Sequence, residues 1–66
     1  RSMEEVLSAI TYLKLRKIKR MILENQQDME KEHSPEEFRI LHQTHNHLKQ
    51  KEIGLTQAMG TVIWRS

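Results

Sequence analysis

Sixty-six residues bound this chain to one small domain, of a size that buries only about 60% of its unfolded surface and usually leans on a staple, a metal or a partner. The absence of cysteine removes disulfides and thiolate-metal frameworks and fits a reducing, cytoplasmic setting. The net charge is +2, no apolar run nears the roughly 18 residues of a membrane span, and no signal-peptide pattern opens the chain. An Arg1-Ser2 opening is not a natural start, so a fragment of a larger protein is expected.

The first element predicted is a helix from about Met3 to about Lys31. Ser2 can cap it, and Glu4 and Glu5 meet the positive end of its dipole. Straight-chain residues dominate its middle, where they lose little rotamer freedom, and neither Gly nor Pro interrupts it. Leu15, Ile18, Ile22 and Met29 recur at three-four spacing, with Thr11 and Asn25 at the polar steps. That spacing lines one helix face. Val6, Leu7, Ile10, Tyr12 and Leu13 add apolar groups on too many sides for one neighbour, so something further should cover this end.

A turn is expected at residues 32–34, and Ser34-Pro35-Glu36-Glu37 signals the next helix start. Ser34 caps, Pro35 takes the first helical position where a missing N–H costs nothing, and Glu37 completes an S-x-x-E capping box. The second helix is expected from Pro35 to about Met59. Its stripe is Phe38, Leu41, Leu48, Leu55 and Met59, with His45 and Glu52 filling the gaps. Gly54 lies inside it at a cost of about 1 kcal/mol relative to Ala, explicable by close packing on the first helix or by a bend. Gly60 suits a left-handed helix end, and residues 60–66 read as a short extended tail rich in β-branched side chains.

Folded back at the break, Met29 faces Phe38, Ile22 faces His45, Ile18 faces Leu48 and Thr11 faces Leu55. The fold class is therefore all-α, a long antiparallel two-helix hairpin. Charge is segregated along it. Residues 1–23 hold six Lys/Arg and two Glu (+4), residues 24–37 hold six acids and Lys31 (−5), and residues 38–66 hold four bases and Glu52 (+3). The tip is acidic and the open end basic, a pattern that steers partners and sets orientation.

Catalytic chemistry finds no footing: there is no cysteine nucleophile, no Gly-rich phosphate loop and no convergent pair of acids. His33, His42, His45 and His47 invite a metal, yet zinc wants three or four ligands on one face and no H-E-x-x-H is present. No catalytic residue, metal or cofactor is assigned. The basic run Lys14, Arg16, Lys17, Lys19, Arg20 could touch phosphates, but no stacking aromatic beyond Tyr12 accompanies it and the acidic tip opposes it.

The runs Leu13-Lys14-Leu15-Arg16-Lys17-Ile18 and Met21-Ile22-Leu23-Glu24-Asn25-Gln26, then Leu48-Lys49-Gln50-Lys51-Glu52-Ile53 and Met59-Gly60-Thr61-Val62-Ile63, resemble the C-terminal helicase-binding hairpin of DnaG-type bacterial DNA primases, of the Bacteroides-like kind. The resemblance covers nearly the whole chain. It implies a non-catalytic module of a DNA-dependent RNA polymerase, docking on the N-terminal domain of the replicative DnaB-type helicase to couple primer synthesis to the fork. The zinc-binding and polymerising domains of such a parent would lie upstream. Greasy positions at the open end, rather than any family motif, give the expected partner-binding set: Leu55, Met59, Val62, Ile63 and Trp64, with Lys51 and Arg65 steering. Leu7, Ile10 and Leu13 form the expected self-association set. The rival readings are a coiled-coil oligomerisation hairpin, two chains making a four-helix bundle, and a nucleic-acid-binding hairpin.

Overall fold

The computed structural model describes the backbone of residues 2–65 and the side chains of residues 2–60. Two helices, α1 (Met3–Met29) and α2 (Pro35–Arg65), pack antiparallel as a rod measuring 50 × 15 × 12 Å. No strand occurs among the described residues. The fold is the all-α helical hairpin expected.

Both helix starts form as their sequences dictate. The Ser2 hydroxyl accepts from the Glu5 N–H at 3.2 Å. At the turn, the Ser34 hydroxyl accepts from the Glu37 N–H at 3.2 Å while the Glu37 carboxylate accepts from the Ser34 N–H at 2.8 Å. The Phe38 N–H closes the first α2 turn on the Ser34 carbonyl. This reciprocal capping box satisfies two backbone donors that water would otherwise have to serve. A Ser cap of this kind contributes about 1 kcal/mol.

Helix α1 stops two residues short of the expected Lys31. The Glu30 N–H turns to the Gln27 carbonyl and the Lys31 N–H to the Asp28 carbonyl, the tighter three-residue bonding that ends many helices. His33 Nε2 also sits on the Asp28 carbonyl, so the ring caps a helix end. These side-chain and backbone competitors explain the early stop, and the turn spans residues 30–34 instead of 32–34.

The other boundary moves the opposite way. Helix α2 continues through Gly60 to Arg65 in place of an extended tail, and no described glycine has positive φ. Extending an established helix adds one hydrogen bond per residue fixed, without a new nucleus. The β-branched and Gly penalties at residues 60–63 are tenths of a kcal/mol to about 1 kcal/mol each. Backbone continuation outweighs them.

The seam follows the predicted stripes except at Phe38. On α1, Thr11, Leu15, Ile18, Ile22, Asn25 and Met29 are buried or half-buried, and Ser8 extends the same three-four series by one step. On α2, Leu41, His45, Leu48, Glu52, Leu55 and Met59 are likewise covered, while Phe38 stays largely exposed at the tip. The Asn25 amide donates to the Leu41 carbonyl at 3.3 Å, which fixes the register. Strict three-four spacing makes a narrow coiled-coil seam, two residues wide, in place of a broad core face. Among the described residues only Ile22, Leu48 and Asn25 are buried outright.

Candidate protein-interaction surface

Beside its thin core, the hairpin displays three surfaces that could carry function. The first is the outer face of α1. Met3, Val6, Ile10 and Leu13 form a second three-four stripe, one to two residues out of phase with the seam and so roughly 100–160° round the helix from it. Their exposures are 70%, 45%, 44% and 61%. Leu7 flanks the stripe and is also exposed. The expected self-association set Leu7, Ile10 and Leu13 thus lies together on open surface, with no element of the described chain over it.

The expected partner-binding set is divided by the structure. Leu55 and Met59 occupy seam positions and are half-buried against α1. They help hold the open end of the hairpin closed, and Leu55 also reaches the groove described next. Lys51 is exposed. Val62, Ile63, Trp64 and Arg65 continue the α2 backbone, and their side chains lie outside the described residues.

The second surface is one flank of the rod, where Lys14, Lys17, His47 and Lys51 border a groove of about 640 Å³ floored by Ile18, Met21, Leu48, Gly54 and Leu55. No carboxylate of the described residues lines it. Gly54 has open space around the position a Cβ would take, with nothing within 4 Å. Close packing on α1 therefore does not explain this glycine.

The third surface is the opposite flank, and it is ion-paired. Glu52, at a seam position, accepts from Lys49 and from Lys19 of α1, each at 3.1 Å. These bonds hold the Glu52 carboxyl below its ordinary value, with Lys49 the larger cause and Lys19 the second. The Ser34 backbone N–H, then its hydroxyl, does the same for Glu37. A carboxyl with a lowered folded-state pKa stabilises the fold above its unfolded value, and that contribution is lost as pH falls through the folded value. The melting temperature should accordingly drop as pH is taken below about 4.5. Circular-dichroism melts should show a smaller drop for Glu52→Gln than for the parent chain; equal drops would remove the cross-hairpin link as a cause.

The basic run does not act as one patch. Lys19 is held by Glu52, Arg20 pairs loosely with Glu24 at 4.0 Å, and the Arg16 guanidinium lies 5.9 Å from the Tyr12 ring centroid. Lys14 and Lys17 remain without an ion pair among the described residues. The histidines disperse as well. His42 meets Phe38 edge-on at 5.0 Å, His45 enters the seam, His33 caps α1 and His47 borders the groove. No group of three or more potential metal ligands converges among the described residues. None of the described helices is long and apolar enough to cross a membrane.

Set beside known proteins, residues 1–62 match the model of a family described as a domain of unknown function, DUF8430, and the chain belongs to that family. No curated protein matches the chain, and no solved structure does.

Proposed function

We propose that this member of the DUF8430 family is a non-catalytic protein-interaction module, a helical strut that presents the outer face of α1 at its open end to a helical surface of a partner. The observation that carries this reading is the second apolar stripe, Met3, Val6, Ile10 and Leu13, exposed on the face turned away from α2. A helix with two apolar stripes on different faces has two neighbours, and the described hairpin supplies one. Exposed apolar patches of this regularity mark interaction sites.

In its finer form the partner is the N-terminal domain of a DnaB-type helicase, and the chain is the docking hairpin of a primase. That form is supported by the sequence resemblance in the runs from Leu13 to Gln26 and from Leu48 to Ile63. Titration of the hairpin against such a helicase domain tests both forms. The parent chain should bind, the pair Ile10→Glu and Leu13→Glu should weaken binding at least about tenfold with unchanged helicity, and Trp64→Ala reports on the C-terminal end separately. No binding by the parent chain would remove the helicase as partner. Full affinity of the double variant would remove the outer stripe as the contact.

A further inference from the structure

The flank that carries the groove has an order of charges that the seam does not require. On α1, the ridge running along this flank is Lys14, Lys17, Met21, Glu24, Asp28, again at three-four spacing and roughly 110° round the helix from the seam. Its charge is antisymmetric about Met21. Lys14 lies seven residues before Met21 and Asp28 seven after; Lys17 lies four before and Glu24 three after. Met21 itself is an exposed apolar side chain in the groove floor.

We infer that this flank is the contact between two copies of the chain, packed antiparallel about a two-fold axis that passes through Met21. A two-fold contact uses the same patch on both copies, so the patch must complement itself when turned end for end. This ridge does. Turning it about Met21 lays Lys14 on the partner copy's Asp28 and Lys17 on its Glu24, while the two Met21 side chains meet at the centre. The other two-fold arrangement, tips at the same end, would stack like charges along the rod, which repel.

Three features of the hairpin agree with an occupant of this kind. Lys14, Lys17 and Lys51 face the groove without an ion pair among the described residues. Glu24 and Asp28 have only exposed neighbours one turn away on their own helix, contacts readily exchanged. Gly54 leaves the groove low where nothing of the described residues fills it, so a second rod can approach α2 closely. The core is also thin for an independent fold, and a second layer would supply what the hairpin lacks.

The ridge continues the line of the outer stripe, Ile10, Lys17 and Glu24 being seven residues apart, and lies nearer the middle of the rod, so the test separates the two by position along α1. Because the chain has no cysteine, single cysteines introduced into the 66-residue chain report on proximity. With glutathione disulfide as oxidant, Met21→Cys should give a covalent dimer much faster than Ile10→Cys, since only a residue on the axis meets its own copy. In sedimentation equilibrium at low salt the parent chain should dimerise. Lys17→Glu should raise the dimer Kd about tenfold, and adding Glu24→Lys to it should bring the Kd back to within about threefold of the parent. Circular dichroism should show all of these exposed-site variants to be equally helical. A monomer at all concentrations, faster cross-linking through Ile10→Cys, or a double variant no better than Lys17→Glu would each overturn the inference.

Discussion

Leu48→Ala and Ile22→Ala are each expected to cost about 2–5 kcal/mol, enough to leave much of the chain unfolded at room temperature. Deleting a buried branched side chain loses its transfer free energy and leaves a void that the surroundings fill only in part. Total stabilities of ordinary domains are roughly 5–15 kcal/mol, and small ones sit near the bottom of that range. Here the burden falls on very few residues, because Ile22 and Leu48 are the apolar side chains buried outright among the described residues. Neighbours cannot compensate in a seam two residues wide. Urea denaturation followed by helicity, at one fixed protein concentration, measures the effect. Leu23→Ala, on open surface, is the control and should change stability by under about 0.5 kcal/mol. A seam variant no worse than that control would mean the hairpin is not held by this seam.

Asn25→Leu should do the reverse and raise the melting temperature, by roughly 1–3 kcal/mol of stability. The Asn25 side chain is 6% exposed, and its amide nitrogen reaches the Leu41 carbonyl while its amide oxygen has no protein partner among the described residues. An unpaired buried acceptor carries a desolvation penalty of about 1–3 kcal/mol, and leucine at that position adds apolar contact instead. The Leu41 carbonyl is not orphaned by the change, since it lies within α2 and bonds along the helix. The gain should come with a loss. A polar residue at one seam position fixes register and partner number in coiled coils, so the leucine variant should populate additional oligomers in sedimentation. A lower melting temperature would instead make the Asn25 to Leu41 bond a net stabilising contact.

The seam was legible in the sequence because its period is simple: three-four spacing maps directly onto one helix face, and Ile18, Ile22, Leu41 and Leu48 keep to it even with His45 at the step between the two leucines. The capping box was legible for the same reason, being a local pattern with a local cause. Helix ends were less so. His33 reaching back to the Asp28 carbonyl shortens α1 through a contact that residue preferences do not encode, and α2 passes Gly60 because extending a formed helix outweighs modest local penalties. The exposed stripe on α1 was visible only as surplus grease. Separating Val6, Ile10 and Leu13 from Leu15 into different faces required the seam phase to be fixed first. For Leu55 and Met59 the converse holds: apolarity alone does not say which neighbour a side chain meets, and the fold places both half-buried in the seam.

The capping box at Ser34 also sets the order in which the rod closes. Met29 and Phe38, flanking it, are nine positions apart along the chain, whereas Thr11 and Leu55 are forty-four apart. Chain closure is least costly for the shortest loop, so pairing should begin at the turn and run like a zipper toward the free ends. The last teeth to engage are then the first to fray under thermal agitation. Those teeth lie beneath the outer stripe of α1. A partner seated there would clamp the fraying end and slow exchange of amide hydrogens along the upper half of both helices, making occupancy of the open end readable as rigidity of the whole strut.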